Sequence, residues 1–406
     1  MPLPDNFLAS LTCPHPKVIF DRLLKGPTHK GMVVWKWRSE VSPADLYCYL
    51  GARFGKPNGP QNFLRNDSSD NLIHWEWVLD HPSGSIHILG MNFRTELWVS
   101  SGINASDADS DIFAAQVKAD FSNHGQNMAQ VRKSLEKWTE FVNPYQRLRS
   151  AVEKMLSEVH ALDLQPETQA IPDLTDIDDI QQGRWGEILG RYSKGLGLCF
   201  GIRSMLPVMA EAYVNFLLFA LMRPELKSDE RLRENTIRQP IDVRVKSLHM
   251  TCVGFARPVD YTSPACKAYH SLVNERNDLL HGNVVLEKLR FNDVYFHGRV
   301  PVFKEYRSMW ERTVGVEINA VGLQRLSDEV ATVNTFIEYL SSCMKPDVRK
   351  NIDMMSDKRD LGLNQQNGKI GILFSGRLVD MQMVMDSKTT DPNSDAQSID
   401  PPEAAR

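Results

Sequence analysis

The spacing of apolar residues changes near residue 109, and this change limits the folds open to the chain. Before it, short runs of β-branched and aromatic residues lie between turn-forming residues, as in strands. After it, apolar residues recur at steps of three and four, as in amphipathic helices. The sequence therefore predicts an α+β N-terminal domain followed by a mainly α C-terminal helical bundle.

The same spacing predicts the individual elements. One helix begins at Ser42-Pro43, because proline suits a first helical turn, and Asn143-Pro144 should break or kink the helical run 109–162. Strands are predicted over residues 32–37, 72–79, 86–91 and 94–100, with strand-like residues again at 294–296. Further helices are predicted over residues 186–205, 207–221, 244–255, 265–281 and 322–344.

Length and composition predict the domain boundaries. A chain of 406 residues is long enough for two domains, and the acidic, proline-containing stretch 165–179 has the composition of a linker. We predict an α+β domain with a sensory or regulatory role over 1–105 and a helical connector over 106–165. A helical domain follows over 166–345, and then a C-terminal extension over 346–406. The polar residues from about 386 onward should be disordered.

Five of the eight tryptophans lie in the predicted strands of the N-terminal domain. Trp35 and Trp37 are two residues apart, as are Trp75 and Trp77, so each pair points to one face of its strand. A sheet face packed against a helix explains this pattern. An aromatic pocket that senses a ligand or a partner explains it equally well on the sequence alone.

Charge and cysteine usage restrict location and partners. The six cysteines are scattered without a CxxC pair, no signal peptide opens the chain, and the apolar run 214–222 is too short to span a bilayer. We expect a cytoplasmic protein that does not enter a membrane and that uses neither a metal nor another cofactor. Because the net charge is −4, the protein could bind a nucleic acid only through a local basic patch. Candidates for an RNA groove are Arg231, Arg233, Arg238, Arg244 and Lys246, although a solvated surface explains them equally well.

The strongest candidates for catalytic residues lie in the sequence Arg-Asn-Asp-Leu-Leu-His-Gly at 276–282. On a helix, Arg276 lies amid Leu272, Val273, Leu279 and Leu280, while Asn277 and His281 lie one turn apart beside that face. An arginine among leucines needs a carboxylate, an interface or an anionic ligand. A histidine in the last turn feels the negative end of the helix dipole, which favours its protonated form.

These residue types suit the cleavage of RNA. The 2′-hydroxyl is a nucleophile beside the phosphate, the histidine can transfer its proton, and the arginine can stabilise the developing charge. The spacing alone is weak evidence, because Arg244 and His249 repeat it, and Arg290 and His297 nearly do. What distinguishes 276–281 is the asparagine after the arginine, the apolar pair before the histidine and the glycine at the helix end.

On these residues, and on the helices around them, the region 183–344 resembles the HEPN superfamily (higher eukaryotes and prokaryotes nucleotide-binding). The resemblance implies a helical bundle with Arg276, Asn277 and His281 as the catalytic set of a metal-independent endoribonuclease. It also implies a homodimer whose two sites share one cleft. A toxin or phage-defence role is implied as well, with RNA as substrate and a regulatory protein or antitoxin as a further partner.

The same resemblance allows a second interpretation. Some HEPN domains are non-catalytic dimerisation or binding modules. In such a module Arg276 would be a structural cation paired with a carboxylate such as Glu211, and His281 would cap its helix. Asp278 would pair with an arginine or be solvated in either case.

Overall fold

The computed structural model describes residues 3–4, 6–26, 31–65, 71–166, 169, 179–284, 286–305 and 308–374. The strands are β1 Met32–Trp37, β2 Trp75–His81, β3 Gly84–Gly90, β4 Thr95–Ser100, β5 Trp138–Val142, β6 Val294–His297, β7 Val300–Phe303, β8 Asp360–Asn364 and β9 Ile370–Gly371. The helices are α1 Pro16–Lys25, α2 Pro43–Phe54, α3 Gln61–Leu64, α4 Asp109–Ser134, α5 Pro144–Ala161, α6 Asp179–Leu221, α7 Pro224–Ser228, α8 Glu230–Arg238, α9 Ile241–Thr251, α10 Pro264–His281, α11 Leu286–Leu289, α12 Val316–Val321, α13 Leu326–Ser342 and α14 Pro346–Ser356.

The chain forms two compact units, and the predicted division into an α+β part and a helical part is confirmed. The first unit comprises Met1–Glu140 with Gly362–Arg406, and the second comprises Phe141–Leu361. The predicted connector 106–165 is therefore not a body of its own, because α4 lies in the first unit and α5 in the second. The linker stretch lies mostly outside the described residues, as does the tail from residue 386.

A four-stranded antiparallel sheet of order β1-β4-β3-β2 builds the first unit, and all four strands were predicted. Trp35, Trp37 and Trp77 are buried in its core together with Phe113 of α4. The Trp37 ring nitrogen donates to the hydroxyl of Ser110 at 2.9 Å, which satisfies its one polar group. A sheet face packed against a helix therefore accounts for the positions of these tryptophans.

Strand β5 corrects the predicted helical run 109–162. Trp138 and Phe141 are three residues apart, as on a helix, yet both lie in an extended strand. The prediction failed because the partner of β5 is distant in sequence: its sheet has the order β5-β8-β9, and the Gln365 amide donates to the Lys137 carbonyl at 2.8 Å. The predicted break is correct, since the Asn143 side chain caps the start of α5.

Helix α6 replaces the two helices predicted over 186–205 and 207–221. It continues through Pro207, although proline removes a helical hydrogen bond, because Leu206 and Ala210 on either side are fully buried. By length and composition alone Gly183–Leu221 could cross a bilayer, but 56% of its most apolar window is buried inside the protein. The central helix of a soluble bundle has the same properties, and a cytoplasmic location stays a prediction.

Candidate active site

Helix α10 carries the sequence 276–281, and local signals define both of its ends. The Ser263 hydroxyl accepts from the Cys266 amide, with Pro264 in the first turn. At the other end Gly282 is left-handed, with φ 64°, and its amide donates to the Asp278 carbonyl. The predicted range 265–281 is therefore correct to one residue.

One face of α10 packs into the core of the second unit. Cys266, Tyr269 and Leu272 are buried along it, and the Tyr269 ring stacks on Phe336 of α13 at 4.0 Å between centroids. The Tyr269 hydroxyl donates to the Pro207 carbonyl at 3.2 Å. The buried face of α10 therefore differs from the predicted one, because Leu280 is 43% exposed. Arg276 lies just beyond the C-terminal end of the buried residues and not at the centre of an apolar face.

Arg276 lies partly buried one turn beyond Leu272, and its guanidinium has little neutralisation from the protein. Its Nη1 donates to the Asn277 side-chain oxygen at 2.9 Å, while its Nε is buried without a hydrogen-bond partner. Within the described ranges no carboxylate pairs with it; Glu211, the suggested partner, pairs with Arg244 instead. A cation in this position can receive an anion from outside the protomer.

His281 ends the helix on the surface. Its side chain is exposed, and no side chain in the described part of the structure bonds to it. Asn277 precedes it by one turn, which puts the two side chains about 40° apart around the helix. Asn277 therefore lies between the two other predicted catalytic residues in sequence, and its side-chain oxygen accepts from the Arg276 guanidinium. Asp278 is bonded to the Asn283 amide at 3.0 Å, so it closes the turn after the helix.

Tyr269 reports the electrostatics beside Arg276. Burial raises the pKa of its phenol, Glu211 raises it further, and Arg244 and Arg276 both oppose the rise. Two arginines and one carboxylate therefore act on the same buried hydroxyl. Arg244, a predicted RNA-binding residue, and Arg276 thus both lower the pKa of the same buried phenol.

The other predicted RNA-binding residues lie on α8 and α9. Arg231 is exposed, Arg233 and Arg238 pair with acidic residues of α8, and Lys246 pairs with Asp242 at 3.0 Å. Arg244 is buried and is held by Glu211 and by the Asn215 side-chain oxygen at 2.5 Å. Arg244 therefore serves the packing of α9 on α6 and does not present its charge at the surface.

The structure contains a buried ion cluster beside the site that the sequence did not predict. Arg203 of α6 donates to both carboxylate oxygens of Glu329 at 2.6 and 2.7 Å, and to Glu275 of α10 at 3.2 Å. Glu275 also accepts from Arg325 at 2.8 Å. Because Glu275 immediately precedes Arg276, this cluster holds the part of α10 that leads into residues 276–281 against α6 and α13. In the sequence, one charged residue lies among the apolar positions of each of these helices, and that pattern could have predicted the ion cluster.

No protein-family model, curated protein or solved structure matches the chain. Within the described ranges, no group of three His, Cys, Asp or Glu side chains is placed to hold a metal ion.

Replacing Gly282 with alanine is expected to lower the free energy of unfolding by about 1–2 kcal/mol, because an L side chain is strained at a left-handed φ. A Cβ there would meet nothing within 4 Å, so the cost comes from the backbone alone. Gly282→Asn is the matched control, since asparagine tolerates this conformation. Urea unfolding of both variants measures the difference, and equal stabilities would contradict the assigned helix end.

Proposed function

We propose that this chain is a metal-independent endoribonuclease. The observation that carries the proposal is Arg276: a partly buried guanidinium that no described carboxylate neutralises, bonded to Asn277, which precedes the exposed His281 by one helical turn. Such a cation is suited to a phosphate, and the neighbouring imidazole is suited to proton transfer. The resemblance of 183–344 to HEPN domains supports the same function.

In the proposed reaction the ribose 2′-oxygen attacks the adjacent phosphorus and the bond to the 5′-oxygen breaks. A histidine accepts the 2′-hydroxyl proton, and a protonated histidine donates a proton to the leaving 5′-oxygen. Arg276 stabilises the negative charge that grows on the phosphoryl oxygens. The products are a 2′,3′-cyclic phosphate and a 5′-hydroxyl.

A homodimer completes this chemistry. The base and the acid act on opposite sides of the phosphorus, whereas residues 276–281 carry a single histidine, His281. A second copy related by a two-fold axis would supply the second histidine and a second arginine. By the same family resemblance we propose a toxin or phage-defence role, with a regulatory protein or antitoxin as an additional partner.

The products and the metal requirement test this function. Purified protein should cleave single-stranded RNA in the presence of EDTA and leave 2′,3′-cyclic phosphate and 5′-hydroxyl ends. The 2′-hydroxyl is the nucleophile, so a DNA oligonucleotide of the same sequence should stay intact. Mass spectrometry of the fragments identifies the ends. Cleavage that needs a divalent metal, or that leaves 5′-phosphate ends, would refute the mechanism.

The second candidate is a non-catalytic dimerisation or binding module. The exposed apolar side chains that follow His281, from Val284 to Val302, favour an interaction surface in this region. This candidate predicts no RNA cleavage by the wild-type protein and a loss of dimer or stability in Arg276→Ala.

A further inference from the structure

Strands β6 and β7 form a two-stranded hairpin, residues 294–303, whose surface is unusually apolar. Tyr295 is 61% exposed, Phe296 66%, Val300 62% and Val302 50%. These side chains point to both faces, and among the described residues cover is seen only at the base of the hairpin, where the Arg312 guanidinium lies 5.8 Å from the centre of the Phe303 ring. An isolated two-stranded hairpin is marginally stable in water, which indicates that something covers this one.

The hydrogen-bond pattern of the hairpin follows from its turn. Gly298 and Arg299 form a two-residue turn with Gly298 at φ 63°, so His297 and Val300 are a hydrogen-bonded pair. The pattern then alternates, which makes Phe296 opposite Pro301 a non-hydrogen-bonded pair. The bond from the Lys304 amide to the Asp293 carbonyl at 3.4 Å agrees with this alternation.

Among the described residues no strand pairs with the outer edge of β6 or of β7, and this pattern leaves one of the two edges open. Residues of non-hydrogen-bonded pairs direct their amides and carbonyls outward, so Pro301 faces the outer edge of β7, where it has no N–H to donate. On β6 the outward residues are Val294 and Phe296, and both retain their N–H groups. The free edge of β6 therefore suits another strand, and that of β7 is blunted.

The open edge is complementary to itself. An antiparallel pair of β6 strands can place Val294 opposite Phe296 of a second copy, and Phe296 opposite Val294, forming two hydrogen-bonded pairs. The two-fold axis then passes beside Tyr295, which faces its own copy. In the same register His297 lies opposite Asp293 of the second copy, where an imidazole N–H can donate a hydrogen bond to the carboxylate.

The exposed apolar area of residues 284–302 is large enough for an interface with another protein. Nine large apolar side chains between Val284 and Val302 are exposed. Their exposed area is on the order of the 800 Å² that one partner brings to a standard interface. Within residues 284–304 the four basic residues, Lys288, Arg290, Arg299 and Lys304, are offset by Glu287 and Asp293, which leaves too small a positive charge to favour a nucleic acid.

We propose that the hairpin 294–303 is a dimerisation element, which pairs the β6 edges of two copies into a four-stranded sheet centred on Tyr295. The proposal rests on the proposed function only in taking a second copy as the partner. It assigns that contact to an element that begins thirteen residues beyond His281.

A single cysteine tests the register. In the proposed dimer the two Tyr295 positions form a non-hydrogen-bonded pair with Cα atoms about 4.5 Å apart, within reach of a disulfide. Tyr295→Cys should form a covalent dimer when the purified full chain is treated with oxidised glutathione. Val302→Cys is the matched control, since it is equally accessible but lies on the blunted strand, and it should stay monomeric on a non-reducing gel.

A second pair of variants tests the backbone edge. Phe296→Pro removes an outward N–H while leaving the hairpin intact, and Phe296→Ala removes the side chain alone. The dimer dissociation constant should be about tenfold higher for the proline variant than for the alanine variant, because one hydrogen bond is lost from each copy. Analytical ultracentrifugation measures both constants.

Several outcomes would overturn the proposal. Equal cross-linking of Tyr295→Cys and Val302→Cys would refute the register, and equal dissociation constants would refute pairing through the β6 edge. A loss of RNA affinity in Tyr295→Cys without any cross-link would assign the hairpin to RNA instead. Cross-linking is read without RNA, so a dimer that cross-links but does not cleave refutes the proposed function alone.

Discussion

Replacing His281 with alanine is expected to lower the single-turnover rate of RNA cleavage by about 10²–10⁴-fold, the usual contribution of a general acid or base. The fold should be unchanged, because the His281 side chain is exposed and unbonded to the described residues. His270→Ala is the matched control, since it removes another exposed histidine from the same helix. Wild-type rates in His281→Ala would contradict the assigned role.

Arg276 provides the companion measurement. Arg276→Ala should lower the same rate by about 10²–10³-fold, as the loss of one charge-stabilising donor does elsewhere. Arg276→Lys should recover only part of that loss, because an ammonium keeps the charge without the planar fork of donors. Both variants should dimerise normally. A variant that loses its dimer while the wild-type protein cleaves no RNA would favour the non-catalytic module.

Local signals explain why the sequence predicted α10 so closely. Ser263 and Pro264 at its start and Gly282 at its end act on neighbouring backbone groups, and no distant contact is needed to interpret them. The partners of its charged residues are different, since they depend on how helices rotate against each other. The sequence suggested Glu211 for Arg276, whereas the packing of α9 on α6 gives Glu211 to Arg244.

The same distinction separates the correct fold predictions from the incorrect ones. Strands β2 to β4 were predicted because short connections link them and each pairs with the next, and β1 was predicted from its own β-branched and aromatic residues although its partner β4 is distant in sequence. Strand β5 was missed because its sheet partner comes more than 200 residues later. Pro207 was predicted to begin a second helix, yet one helix continues through it, because buried contacts on both sides outweigh the lost hydrogen bond.

The ion cluster at Arg203 should dominate the stability of the second unit. Arg203→Met is expected to lower the free energy of unfolding by about 3–5 kcal/mol, because it leaves the buried Glu329 carboxylate without its cation. Burial opposes the charged form of Arg203, but the hydrogen bonds and the charge of Glu329 outweigh it and raise the pKa of Arg203, so its guanidinium stays charged. The urea midpoint of unfolding, compared at an unchanged slope, measures the loss.

A double variant shows whether Arg203→Met destabilises the protein by leaving Glu329 as an unpaired buried charge or by removing packing contacts. Arg203→Met combined with Glu329→Leu removes both charges, and it should recover most of the stability that Arg203→Met loses alone. Glu275→Gln is the milder comparison, because Glu275 is partly exposed and keeps a neutral acceptor for Arg203 and Arg325. It should cost about 1 kcal/mol at most. If the double variant is as unstable as Arg203→Met, the cluster holds α10 through packing and not through charge compensation.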